Sequence, residues 1–235
     1  MSVVIGYVTD QFSIIMTDTR ITYGKNAEYG WDDNYEKLVS IPRMGWATGV
    51  GVCDFIENFN KILSRVAFGT VGKLEEIYVN TLEKEKQKNE CPLDHIDSTV
   101  ITCSWLDNED NRKRCKVGLF CNEHFGKKLK ELVHHQINIL YPFDYLDDIN
   151  KVEAIEKRYS KIEECDGNLE KLMEHLLLIF AEISANSFSV SSICDIGIHL
   201  LKNNAVCKLK LKEEIRPLIK AAQNGTIMNM LSVVD

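Results

Sequence analysis

The sequence predicts an α+β chain built in four layers, an αββα sandwich of two antiparallel sheets between helical layers. Three observations carry that expectation. Strand-like pairs and helix-like pairs alternate in the order strands, two helices, strands, two helices, strands, helix. The opening strands, Val3 to Ile5 and Ile14 to Met16, are continuously apolar rather than alternating, as strands covered on both faces must be. No linker, low-complexity segment or internal repeat interrupts positions 1–235, so the chain reads as one domain.

The elements follow in order. Val3 to Val8 is β-branched and apolar, Thr9-Asp10-Gln11 is a tight turn, and Phe12 to Met16 returns as the second strand of a hairpin. Tyr23 to Asn34 is a Gly-, Asn- and Asp-rich loop. Lys37 to Ile41 and Gly45 to Gly49 form a second hairpin around Pro42-Arg43-Met44. From Asp54 to Ala67, Phe55, Ile56, Phe59, Ile62, Leu63 and Val66 recur on one helical face, and Gly69 to Gly72 breaks the helix. Leu74 to Lys88 is a second amphipathic helix, and its charge run from Glu83 to Glu90 reads as a solvent-facing end. Ser98 to Leu106 and Lys113 to Asn122 are strands around a turn at 107–111. Between Glu123 and Asp148 the pattern allows a short helix, with His134-His135 on a solvated face, and a strand near Ile137 to Leu140. Ile149 to Glu164 and Leu169 to Ala185 are helices parted by Asp166-Gly167-Asn168. Ser189 to Leu200, carrying His199 as a packed histidine, and Ala205 to Leu211 are the last strands, joined at Asn203-Asn204, and Glu213 to Gln223 is the final helix.

Composition narrows the function. The net charge is -7, which argues against a nucleic-acid partner, since that would leave a basic face. No apolar run approaches the roughly 18 residues that span a bilayer, and the N-terminus lacks the basic region of a signal peptide. The expectation is a cytoplasmic protein. Its eight cysteines contain no CxxC pair and read as buried free thiols in a reducing compartment. Cys91, His95, Cys121 and His124 can be drawn as a zinc set, but their spacings repeat no familiar structural-zinc pattern, so no metal is expected.

The chemistry gathers at the first strands. A Met followed by a small residue is normally trimmed, which would expose Ser2 with a free α-amino group. That amine has an ordinary pKa of about 7.7–8.0 and can act as base toward its own hydroxyl. By itself a Met-Ser start says little, but here Ser2 opens an apolar strand rather than a loose tail. If the first two strands form a hairpin, Asp18 lies near Ser2. Lys37, pointing inward at the start of the third strand, needs a counter-charge, and Asp18 is the natural partner. An ammonium beside a serine hydroxyl lowers the hydroxyl's pKa, and the carboxylate holds the ammonium in place. Spacing alone favours Asp18 and Lys37 as surface residues at strand ends.

The run Asp18-Thr19-Arg20-Ile21-Thr22-Tyr23-Gly24, the Asn34-x-x-Lys37 pair and Gly49-x-Gly51-x-x-Asp54 resemble proteasome β-subunits and the HslV-type bacterial peptidase, N-terminal-nucleophile (Ntn) hydrolases. The likeness is clear over the first quarter of the chain. It implies Ser2 as nucleophile, Asp18 and Lys37 as its catalytic partners, and an oxyanion-binding glycine that is either Gly49 or Gly51. Thr22 would pair its backbone with substrate, and Arg20 would have a supporting role. The second half departs from the family. The Asp-x-x-Ser-Gly-Gly segment that supports the nucleophile's amine is replaced by Ile183-Ser184-Ala185-Asn186-Ser187-Phe188-Ser189, where Ser184 or Ser187 would stand in for the carboxylate. No Gly-Ser-Gly turn appears between Asn122 and Asp148.

The resemblance implies a peptide or protein substrate, no cofactor and a homo-oligomer, by analogy a ring; whether an ATPase feeds it is not readable. Two rivals stand beside a peptidase. One is a proteasome-shaped structural or assembly protein without catalysis. The other is an amidase or acyl-transfer enzyme acting on a small acylated molecule.

Overall fold

A computed structural model describes the chain except residues 1, 24–27, 43, 67–69, 110–111, 147, 161–164, 166–167, 203–204 and 235. Among the described residues a six-stranded sheet runs in the order β10-β1-β2-β11-β12-β13, with β10 at Asn138–Leu140, β1 at Val4–Val8, β2 at Phe12–Asp18, β11 at Ile193–Lys202, β12 at Ala205–Glu214 and β13 at Ser232–Val234. A five-stranded sheet runs β5-β6-β7-β8-β9, from Val39–Ile41 through Gly45–Val50, Val100–Glu109 and Arg112–Phe120 to Lys130–Glu131. All pairings are antiparallel.

Three apolar clusters define the four layers. Helices α6 (Ile149–Arg158), α7 (Leu169–Asn186) and α8 (Ile215–Gln223) bury Ile155, Leu176, Phe180 and Leu218 against Val3, Ile5, Ile14, Met16 and Ile196 of the first sheet. Helices α1 (Cys53–Leu63), α2 (Val71–Lys88) and α3 (Leu93–Asp97) bury Phe55, Phe59, Tyr78 and Ile96 against Ala47, Ile101 and Cys103 of the second. The remaining faces meet in the middle, where Val4, Val8, Ile15, Trp46 and Val117 pack together. Successive residues of β1 and β2 thus face a helical layer and then the opposite sheet. That is why both strands are buried at almost every position. The predicted four-layer sandwich is the fold observed.

Boundaries shift where tertiary contacts override local pattern. The first helix stops at Leu63 rather than Ala67. The strand expected from Ser189 begins at Ile193, because residues 187–192 are drawn into side-chain hydrogen bonds instead. The loop expected at Tyr23 to Asn34 contains a short strand, β4 (Trp31–Asp32), which pairs with β3 (Ile21–Thr22) just before the loop. His134-His135 lies in a turn, not on a helix: His135 has φ 62 and its N–H donates to the Val8 carbonyl, while His134 pairs with Asp10 at 3.1 Å. In the charge run, Glu85 is buried against Lys88 and Asn58 rather than solvated. Four of the eight free cysteines, Cys103, Cys115, Cys121 and Cys194, are fully buried, and the others are half-buried. The turn centres at Arg43, Asp166-Gly167 and Asn203-Asn204 lie outside the described residues.

The sheets are locked together at Trp46, whose indole N–H donates to the Ile198 carbonyl at 3.1 Å and whose ring lies over Gly197. A β-carbon on Gly197 would stand 2.5 Å from that ring. Gly197→Ala is therefore expected to cost about 1–3 kcal/mol through overpacking, read from urea unfolding followed by tryptophan fluorescence.

Candidate active site

The first hairpin sets the geometry. Thr9 Oγ1 accepts the N–H groups of Gln11 and Phe12, closing a tight turn that fixes the register from Val8 opposite Ser13 to Val4 opposite Thr17. One step further along, the Val3 N–H donates to Asp18 Oδ1 at 3.2 Å, so Asp18 sits beside the residue that follows Ser2. On its other side Asp18 is flanked by β11, opposite Cys194. A strand end held between two neighbours is fully covered, and Asp18 is 0% exposed.

That carboxylate organises three segments. It accepts the Arg20 N–H at 2.8 Å, the Ser191 N–H at 3.4 Å, and Lys37 Nζ at 3.0 Å on each oxygen. Lys37 Nζ also donates to Ser2 Oγ at 2.6 Å. Its side chain is only 8% exposed. Burial pushes the Lys37 pKa down, and Asp18 opposes the shift through charge and hydrogen bonding. An ammonium has three donors, and among the described residues Asp18 Oδ1, Asp18 Oδ2 and Ser2 Oγ accept them.

Residues that flank this triad brace it. Thr19 Oγ1 donates to the Asp33 carbonyl at 2.6 Å and lies 3.0 Å from Ser191 Oγ. Arg20 forms a fork with Asp33, at 2.5 Å and 2.8 Å, and spans to the Phe188 carbonyl at 2.6 Å. The fork raises the Arg20 pKa and lowers that of Asp33, in both cases chiefly through their hydrogen bond. Lys210 of β12 reaches over to hold the segment that carries Lys37: it donates to Glu36 Oε1 at 2.6 Å and to the Leu38 carbonyl at 3.0 Å.

Ser2 and Lys37 open into a cavity of about 950 Å³. Gly49, Gly51, Arg20 and Thr22 line it. Gly49 lies in the ladder opposite Ile101, whereas Gly51 stands beyond the last paired residue with φ +130, just before α1. A side chain at Gly51 would meet Thr99 Oγ1 at 2.4 Å, so the turn demands glycine.

Of the two serines expected to replace the missing carboxylate, Ser184 is not brought to the site. It lies within α7 and donates to the Ala181 carbonyl at 3.2 Å, one helical turn back. Ser187 leaves the helix and meets a carboxylate from elsewhere, Asp144, at 2.9 Å. Asp144 also accepts Ser189 Oγ at 2.7 Å and the Phe188 N–H at 3.1 Å. Asp144, Asp33 and Ser191 were not among the residues singled out from sequence. No spacing rule ties Asp144, on a one-turn helix after Pro142, to a serine 43 positions later. Among the described residues no group of three or more His, Cys, Asp or Glu side chains is arranged to hold a metal ion, and no helix is long and apolar enough to cross a membrane.

Comparison with solved structures bears on the architecture. The chain is similar to the Anbu (Gly-1) mutant from Hyphomicrobium sp. strain MC1, with a TM-score of 0.66, 13% identity and 97% of each chain covered. This likeness establishes a shared fold. The likeness in fold runs over almost the full length of the chain. The Anbu structure carries no sequence argument for any side chain at 13% identity. No family model matches the chain, and no curated protein does.

Proposed function

We propose that this chain is an N-terminal-nucleophile amide hydrolase, a peptidase acting through an acyl-enzyme on Ser2. The observation that carries the reading is the buried Asp18–Lys37–Ser2 chain of contacts at the edge of a large cavity. Lys37 donates to Ser2 Oγ, so it acts as a cation that lowers the hydroxyl's pKa, and the base is the Ser2 α-amine. That amine is free only once Met1 is removed, and Met1 lies outside the described residues.

In the proposed reaction the Ser2 hydroxyl gives its proton to the α-amine through a water, and Oγ adds to the substrate carbonyl. The amide N–H of Gly51, outside the strand ladder at the approach to α1, stabilises the oxyanion together with the positive end of that helix. The C–N bond then breaks, the leaving nitrogen takes the proton back from the ammonium, and water hydrolyses the ester. Substrate lies along Ile21–Thr22 as an added strand, with Thr22 on the cavity wall.

Intact mass before and after treatment with a β-lactone tests this. The wild type should lack Met1 and gain one adduct, mapped to Ser2. Lys37→Ala should slow acylation by about 10²–10³-fold, the loss typical of removing one group that stabilises developing charge. Retained Met1, or a free Ser2 that never acylates, would sink the hydrolase reading.

A further inference from the structure

Two aromatic rings stand half in solvent on the wall of the Ser2 cavity. Phe143 is 53% exposed and Phe188 is 50% exposed, and both line the cavity. They come from segments far apart in sequence, the start of α5 (Phe143–Leu146) and the turn after α7. The backbone that carries Phe188 is tied to the segment that carries Phe143. Asp144, next to Phe143, accepts the Phe188 N–H and the hydroxyls of Ser187 and Ser189 on either side. The Phe188 carbonyl is taken by Arg20, itself forked to Asp33. The backbone of Phe188 is thus fixed at its donor by Asp144 and at its acceptor by Arg20, whose own backbone N–H donates to Asp18.

An exposed phenylalanine ring gains nothing in the free protein, and its stabilisation is realised only when another apolar surface covers it. Fixing the backbone that presents Phe188 lowers the entropy cost of ordering it on binding. The Ser2 cavity continues directly from these rings, which places the covering group on whatever occupies that cavity.

We propose that Phe143 and Phe188 form an aromatic lip that takes an apolar side chain of a peptide bound at Ser2, with Asp144 as the positioning residue that holds the two rings together. The placement at Ser2 rests on the hydrolase reading; the binding itself does not need turnover.

The test uses the full chain with Ser2→Ala. Capped hexapeptides of a Gly/Ser host, with a single Phe or Leu moved through each position, are titrated by calorimetry. One position is expected at which Phe or Leu binds about tenfold tighter than Ser, the gain from covering one apolar side chain. Phe188→Ala and Phe143→Ala should erase that preference, and Phe188→Leu should retain part of it. Asp144→Asn should weaken the Phe peptide while leaving the Ser peptide unchanged, a selectivity that a general loss of structure would not produce. Equal affinity for all peptides, no binding at all, or unchanged discrimination in the alanine variants overturns the lip. So does a result in which those variants alter only self-association in sedimentation, because the rings then meet a second copy of the chain. Discrimination by the Ser2→Ala protein together with no cleavage by the wild type keeps the lip and defeats the hydrolase reading. Cleavage without discrimination does the reverse.

Discussion

Asp18→Ala is expected to lower the free energy of unfolding by about 3–5 kcal/mol, the usual cost of leaving one partner of a buried ion pair uncompensated. The variant strands Lys37 Nζ inside the protein with Ser2 Oγ as its remaining acceptor, and it orphans the N–H groups of Val3, Arg20 and Ser191. Lys37→Met should cost less, because Asp18 keeps those three backbone donors. In the double variant neither charge remains, so the two changes should be non-additive by about 1–3 kcal/mol, as for residues in one network. Urea unfolding of the four proteins at pH 7.5 measures this. A loss below about 1 kcal/mol for Asp18→Ala would show the pair to be solvated. Acylation of Ser2 should slow by about 10²–10³-fold in Lys37→Met, as in Lys37→Ala, so activity and stability separate: Lys37→Met folds well and reacts slowly.

The second large effect is on pH dependence, and it is hidden in the wild type. Asp195 and His199 lie on the same face of β11, both buried between the sheets. Asp195 has Lys210 at 3.5 Å, an ion-pair distance too long to satisfy the carboxylate fully, with Lys212 and Glu36 also nearby. Burial raises its pKa from 3.8 to about 6. Burial, with Lys208 adding to it, lowers His199 from 6.5 to about 4. The signs oppose. Between about pH 4 and 6 the folded chain holds the extra proton on Asp195, which destabilises the fold as pH rises. Over nearly the same range the unfolded chain holds the extra proton on His199, which destabilises the fold as pH falls.

Each shift is worth about 3 kcal/mol across its window, so the two nearly cancel. Asp195→Asn should therefore unmask acid lability: relative to its value at pH 7, stability should fall by about 3 kcal/mol more than in the wild type by pH 4. His199→Gln should do the opposite, gaining about 3 kcal/mol relative to wild type as pH falls from 6.5 to 4. Denaturant midpoints across pH 4–8 check both. Parallel profiles for all three proteins would mean that neither group is buried in the form assigned.

Much of the site was legible in the sequence because its central pair is nearly local. Continuous apolar runs at Val3 to Ile5 and Ile14 to Met16, joined by a short polar turn, define a hairpin, and a hairpin's register follows from its turn. Once Thr9 fixes that turn, Asp18 must arrive beside Val3 and hence next to Ser2. Lys37 follows from electrostatics: an inward ammonium needs a carboxylate, and Asp18 is the one at hand. The layered order was legible for a similar reason, since covering on both faces leaves its mark on every residue of a strand.

What only the tertiary structure decided lies where elements distant in sequence meet. Nothing local shows that Asp144 receives Ser187 and Ser189, that Arg20 closes on Asp33 and Phe188, or that Lys210 holds the backbone next to Lys37. Those contacts depend on how α5, α7 and β12 stack against the first hairpin, and side chains that meet across layers carry no periodic signal. The difference in backbone setting between Gly49 and Gly51 has the same character. Both are glycines in one short run, and only the point where the β6–β7 ladder ends sets Gly51 apart. The sequence by itself determined which elements form, which faces they bury and which charges must pair along the first hairpin. The packing of the layers determined the rest, because a long-range contact is fixed by the relative placement of two elements and not by the residues within either one.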